Sequence, residues 1–311
     1  MSETTDIAAT SSPRAAVAFV TVATALIAGT TLLAKAAGTD ALGEPLHPLQ
    51  VSHARFLFAW MAIASMWAIV RPRFATVNWG THVARTVCGW AGATLMFAAA
   101  ARMPLSDATA ISFLSPVFAM ILAIPLLGER VGPWRWIAAG IAFVGAMVLI
   151  RPGTDAVQLA GLLALGAALA MGFENIFIKR LSGWERPLQI LFVNNSIGFA
   201  IATVAVIFVW EPPTPAQWAA LAGIGVLMLC AQAGFIQAMR RADASFVTPY
   251  MYLTLVFAAF YDFVVFTIVP TGLSIAGAVI VVAGAGLLAW RDQAARQHRQ
   301  ARLRNGPEPS K

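Results

Sequence analysis

Apolar residues do not recur along this chain at the three-and-four spacing that gives a helix one buried face in water. They run together in stretches of about 18 to 23 residues, each near the ~20 that an α-helix needs to cross ~30 Å of hydrocarbon. Such stretches fall at 15–36, 48–70, 80–101, 105–127, 133–150, 157–178, 187–209, 216–238, 245–267 and 272–290. Membrane β-strands would instead read as ~10-residue segments of alternating polarity, and these runs, rich in Ala, Leu, Val and Gly, do not alternate. The linkers are too short to hold a soluble domain. The pattern predicts an all-α polytopic membrane protein of ten transmembrane helices.

Composition agrees, with 59% hydrophobic and 11% charged residues, against the ~25% charged residues of a soluble domain. The net charge of +7 takes its meaning from placement. With a cytoplasmic N-terminus, seventeen of the 21 basic residues fall on the inner side, six of them in the tail, and only Lys35, Arg55, Arg102 and Arg151 fall outside. Cytoplasmic loops carry such an excess of Lys and Arg, which predicts both termini in the cytoplasm. Nucleic acid is not expected as a partner; the basic tail reads as a topology anchor beside anionic lipid. Seven of the ten Trp residues (79, 134, 136, 184, 210, 218 and 290) sit at span ends, where an interfacial aromatic belt would place them. The first apolar run is too long for the core of a cleavable signal peptide, so that span is expected to remain. Cys88 and Cys230 lie inside spans without ligand spacing, giving no support to a disulfide framework or a metal site. No cofactor is expected.

The two halves match when residues 102–150 are laid over 241–289 at a fixed offset of 139. "SPVFA" (115–119) then meets "TLVFA" (254–258), Ser106 meets Ser245, Thr109 meets Thr248, Leu114 meets Leu253, Ile141 meets Ile280, and Gly145-Ala146 meets Gly284-Ala285. Five spans per half is an odd number, so the second half would enter the bilayer from the opposite side. Inverted repeats of this kind place a transporter's substrate near mid-membrane between the halves and permit alternating access by rocking. The expected organisation is a cytoplasmic tail at 1–14, five-helix repeats at 15–150 and 157–290, and a basic cytoplasmic tail at 291–311.

The stretch "RMPLSDATAISFLSPVFAMILAIPLLGERVGPWRWIAAGIAFVGAMVLIRPG" (102–153) resembles the signature of the EamA family in the drug/metabolite transporter superfamily. Its parts are Asp-Ala-Thr after Pro-Leu, a proline in mid-helix, a Leu-Gly-Glu-Arg turn, a Trp opening the next helix and a terminal Arg-Pro-Gly. The resemblance covers essentially the whole chain and implies two five-helix halves with a central cavity lined largely by spans 3, 4, 8 and 9. It also implies a bacterial inner-membrane transporter of amino acids, vitamins such as riboflavin, S-adenosylmethionine, nucleosides or similar metabolites. Arg55 resembles a family position as well. The second half departs from the pattern, with Thr267 and Ile268 opposite Gly128 and Glu129.

Pro116 in span 4 and Pro249 in span 9 each remove a backbone hydrogen bond within a membrane helix, and the freed carbonyls need partners. Either a hinge at the cavity or a packing kink accounts for them. Around them cluster Ser112, Phe113 and Ser115, and Thr248, Tyr250, Tyr252 and Thr254, with Trp90 on span 3 at similar depth. That mixture of rings and hydroxyls suits a small-molecule pocket, and these residues form the predicted substrate site. Intramembrane charges are costly and usually face a partner. Arg55 and Asp262 are candidates for an outer gate, Arg85 and Glu174 for an inner gate or coupling site, and Asp107 for a helix cap. Glu174 has three open readings: shielded near Arg85, Asn194, Asn195 or Gln232; snorkelling beside Lys179 and Arg180; or exchanging a coupling proton.

A membrane enzyme would need a catalytic constellation, and the sequence has no HExxH, no GxSxG, no phosphate loop and no pair of histidines at ligand spacing. No span carries a filter-like segment. The expectation is a secondary transporter of a small organic metabolite in the lipid bilayer, compatible with a homodimer. A flippase for a lipid-linked or amphipathic substrate is the alternative.

Overall fold

Five helices begin on a proline, whose fixed φ suits a first turn and whose missing N–H is no loss there. They are α1 (Pro13–Ala37), α2 (Pro48–Val70), α6 (Pro133–Ile150), α8 (Pro187–Val206) and α9 (Pro215–Met239). Between them lie α3 (Trp79–Ala100), α4 (Leu105–Ser112), α5 (Ser115–Leu127) and α7 (Asp155–Ser182). A short 3-10 turn (Thr248–Tyr252) leads into α10 (Leu253–Phe266), and α11 (Gly272–Leu287) ends the bundle. This computed structural model describes residues 13–70, 77–128, 131–150, 155–182, 185, 187–239, 241 and 247–287. The expected tails at 1–14 and 291–311 fall almost wholly outside them, as does Glu129 of the Leu-Gly-Glu-Arg turn.

Among the described residues the chain is all-helical, without a strand. Seven helices are long and apolar enough to cross a membrane, counting Leu105–Leu127 as one, and Tyr250–Phe266 and Gly272–Leu287 are shorter apolar helices. The remaining rod, α2, has 23 residues with Gln50, His53 and Arg55 in its first turns. Polarity is inside out relative to a soluble protein. Ile69, Phe208, Val144, Val256 and Ile275 are exposed, whereas Lys35, Gln50, His82, Arg85, Asp107 and Asp262 are buried, as a hydrocarbon surround demands.

Span 4 breaks at Phe113–Leu114. The ring of Pro116 collides with the carbonyl four residues back, and Ser112 is where α4 stops. Pro116 then sits in the first turn of α5, where its missing donor costs nothing. In the other half the 3-10 turn yields to α10 at Tyr252–Leu253. These breaks coincide at the 139-residue offset although the prolines do not. The far ends coincide too: Gly128 ends α5 at φ 66° and Thr267 ends α10 at φ 55°. A β-branched residue is strained in that left-handed region, so the departure at Thr267 changes the residue and keeps the turn.

The same offset relates α1 to α7, α2 to α8 and α3 to α9. Packing follows it: α1 lies along α9 and against α10, while α7 lies along α3 and against α5, and α2 packs on α8. α6 and α11 touch through small residues. A Cβ on Gly145 would lie 2.6 Å from the Val281 nitrogen and 2.8 Å from the Gly277 oxygen; one on Gly284 would lie 2.4 Å from the Ala142 nitrogen and 2.8 Å from the Ala138 oxygen. Residues 277 and 281 are the offset equivalents of 138 and 142, so the contact is reciprocal, and its numbering runs in opposite directions on the two helices.

Candidate functional site

At the end of the bundle where α1 stops, Lys35 and Asp262 form a buried ion pair with Nζ 2.6 Å from Oδ1, their side chains 6% and 1% exposed. The other carboxylate oxygen of Asp262 accepts from the amides of Leu105 and, at 3.4 Å, Ser106. α4 has no side-chain cap of its own, so a carboxylate from the other half occupies the positive end of its dipole. The Lys35 ammonium also lies 4.6 Å from the centre of the Phe266 ring. Next to this network Ser274 donates to Asp107 Oδ2 at 2.9 Å and the Ser106 hydroxyl lies 3.4 Å from Oδ1.

Two sequence expectations are corrected here. Asp262 pairs with Lys35, not Arg55, because α1 is the helix beside α10 whereas α2 packs on α3, α8 and α9. Asp262, not Asp107, receives the first amides of α4. Lys35 itself was missed, since a lysine in the last turn of an apolar helix reads as an interfacial residue. The signal that could have found it is its position 139 residues before Glu174.

Arg85 and Glu174 do meet, with Nη2 3.6 Å from Oε1 and side chains 7% and 23% exposed. Gly89, one turn beyond Arg85 on α3, makes room for the carboxylate: a Cβ there would lie 2.9 Å from its carbon. Arg85 Nη1 donates to the Ile190 carbonyl at 3.4 Å. Thr86 donates to Asn194 Oδ1 at 3.1 Å, and Asn195 turns to the Leu191 carbonyl. Arg55 on α2 feels the charges of both Glu174 and Arg85, and its guanidinium lies 4.8 Å from the centre of the Phe56 ring. Four donor nitrogens here are buried without a hydrogen-bond partner: Arg55 Nε and Nη1, Arg85 Nε and the Trp90 indole Nε1.

The predicted aromatic and hydroxyl pocket is divided. Phe113 and Tyr252 meet edge to face with centroids 4.9 Å apart, joining the two helix breaks. Ser112 is satisfied within α4 by the Thr109 carbonyl, Ser115 begins α5 beside Gly172, and Pro116 is exposed. Thr254 is buried with an unpartnered hydroxyl. Tyr250 packs beside Val20, Ala238 and Val247. The side chains of Thr248 and Pro249 lie outside the described residues.

Both ends of the bundle are stitched by glutamine at equivalent positions. Gln50 donates to and accepts from the Glu211 backbone at 2.6 and 3.1 Å, and Gln217 donates to the Glu44 carbonyl at 2.7 Å. At the opposite end Gln189 donates to Glu185 at 2.7 Å, and Glu185 also takes the Asn78 amide and faces His82 Nε2 at 2.9 Å. Burial pushes the Glu185 carboxyl up, but these donors outweigh it and hold it below the usual carboxylate range. A cavity of about 800 Å³ opens there, lined by Asn78, Trp79, Thr81, Arg180, Leu181 and Glu185. Thr81 is one turn from Arg85 and Leu181 two turns from Glu174, so the cavity lies in line with that pair.

Apolar rods surrounding buried charges describe a polytopic helical membrane protein. The profile of the EamA-like transporter family matches residues 14–151 and 158–290, and the chain belongs to that family, within the drug/metabolite transporter superfamily. It is 31% identical over 237 residues to a riboflavin transporter of Vibrio cholerae, covering 74% of this chain and 78% of that one. It is 26% identical over 242 residues to an S-adenosylmethionine uptake transporter of Rickettsia prowazekii, covering 78% and 82%. A crystal structure shares its fold at TM-score 0.59 and 17% identity, over 88% of this chain and 98% of that one. The protein is a small-metabolite transporter with multiple membrane passes, of the bacterial inner membrane.

Proposed function

We propose that the protein moves a small organic metabolite by alternating access between two inverted five-helix repeats, 15–150 and 157–290, with both termini in the cytoplasm. The observation that carries this reading is the charged cluster of Arg55, Arg85 and Glu174, whose buried donors lack partners on the contacting faces of α2, α3 and α7. Unsatisfied buried donors cost about 1–3 kcal/mol each, and a solute with acceptor groups removes that cost. The antiparallel, reciprocal contact of α6 with α11 supports a two-fold axis across the helices, as inversion requires.

With cytoplasmic termini, the Lys35–Asp262 network closes the periplasmic end and the cavity beside Glu185 is the mouth on the cytoplasmic side. Trp90 and the Phe113–Tyr252 pair supply ring surface to the solute path. Arg85–Glu174 is the inner coupling element, and Asp262 the outer one. The solute falls in the amino acid, flavin, S-adenosylmethionine or nucleoside-like range. Reconstitution in proteoliposomes tests the whole: saturable flux of a metabolite from a panel of these is expected. Absence of flux for solutes that stabilise the purified protein would reject it, as would labelling that put the two termini on opposite faces.

A further inference from the structure

The charged cluster does not balance. Arg55 and Arg85 bring two guanidiniums, and among the described residues Glu174 is the carboxylate that forms an ion pair here, with Arg85. Lys35 and Asp262, in the same membrane, pair one for one, and the buried Asp107 beside them is held by serine hydroxyls. A buried cation without a counter-charge is unfavourable in a hydrocarbon surround, so the excess positive charge has to be met by something the protein binds.

The donors show what kind of group that is. Arg85 spends Nη2 on Glu174 and Nη1 on the Ile190 carbonyl, leaving Nε. Arg55 keeps Nε and Nη1 open for a ligand, with its guanidinium carbon 4.8 Å from the centre of the Phe56 ring. Guanidinium edges match the planar spacing of oxyanions and bind them with charge-assisted hydrogen bonds. Trp90 Nε1 adds a neutral donor from α3.

We infer that the transported solute carries an oxyanion, a carboxylate or a phosphate, neutralised by Arg55 next to the Arg85–Glu174 pair. This rests on the transporter reading above and narrows its substrate class: solutes of like shape without the anionic group are poor ligands. Glu174 then serves as the internal counter-ion that keeps Arg85 from competing for the anion as a full second charge.

Matched probes on the full-length protein in nanodiscs test this by ligand-induced thermal stabilisation. Flavin mononucleotide against riboflavin isolates a phosphate, and S-adenosylmethionine against its carboxyl methyl ester isolates a carboxylate. In at least one pair the anionic member is expected to bind tenfold tighter or better, and whichever pair discriminates identifies the oxyanion. Arg55→Gln should shrink that preference below threefold, and Arg55→Lys should keep part of it. Equal binding of both members in wild type overturns the inference, as does an unchanged preference in Arg55→Gln or a lack of stabilisation by either anionic probe. If Arg55→Gln does not elute as a folded monodisperse species, the wild-type pairs and Arg55→Lys decide. Saturable proteoliposome uptake of a neutral solute would sink the oxyanion while leaving the transporter standing.

Discussion

Two buried charge clusters differ in one respect. At the Lys35 end the ion pair is closed: Asp262 divides its two oxygens between an ammonium and the first amides of α4. In the Arg55, Arg85 and Glu174 cluster the ion pair is longer, at 3.6 Å, and donors are left over. The difference separates two uses of an expensive intramembrane charge. A saturated network holds helices together, and the unsaturated one is, in the function proposed above, the place for a ligand.

The largest effect that tests this contrast is on Asp262. Asp262→Asn leaves Lys35 buried and unpaired, and is expected to destabilise the protein by about 3–5 kcal/mol in thermal or denaturant unfolding. The Lys35→Met/Asp262→Leu double variant should recover most of that loss, since no orphan charge remains. Glu174→Gln comes next. Leaving two guanidiniums unopposed should cost about 1–3 kcal/mol and abolish proton-driven uptake in proteoliposomes while counterflow persists; unchanged pH dependence of uptake would remove Glu174 from coupling.

Glu185→Gln should cost about 1–3 kcal/mol at neutral pH, because His82, Asn78 and Gln189 all converge on that carboxylate. The Glu185 carboxyl is held below its ordinary value of 4.5 in the folded protein. Its contribution is therefore present above that value and is lost as pH falls through the lower, folded one. Unfolding followed from pH 6 to 3 should show this acid limb in wild type, reduced in Glu185→Gln. Thr267→Gly, which relieves a left-handed β-branched residue, should stabilise by about 1 kcal/mol. The smallest effect is expected at Arg55: Arg55→Gln should leave stability within about 0.5 kcal/mol of wild type or raise it, since it removes a charge that forms no ion pair among the described residues. A loss comparable to that of Asp262→Asn would erase the distinction between the two clusters.

Much of this was legible in the sequence because it is local. The apolar runs and the interrupted spans 4 and 9 follow from chain neighbours, the 139-residue register from laying one half over the other, and the Arg85–Glu174 contact from two charges at similar depth. The Lys35–Asp262 pair joins residues 227 apart, and no periodicity points from one to the other. The capping of α4 by Asp262 was hidden for the same reason, made worse by asymmetry: the offset equivalent of Asp262 is Ala123, so comparison of the halves is silent there. Tyr250 was placed with the pocket on composition, but a tyrosine three residues into a 3-10 turn points according to that turn's winding, which put it against α1 and α9 residues.

The packing of Gly145 on Gly277 and Val281, mirrored by that of Gly284 on Ala138 and Ala142, has a mechanical side. Backbone comes close to backbone, with only Val281 and Leu149 reaching into the glycine gaps, and the contact is reciprocal between the partners. In the proposed rocking motion, such a contact prefers neither direction of tilt. Any bias toward one resting posture has to originate at the unequal extremities, in the salt-linked clasp at one and the histidine–glutamate knot at the other, so altering the pivot would loosen both postures alike.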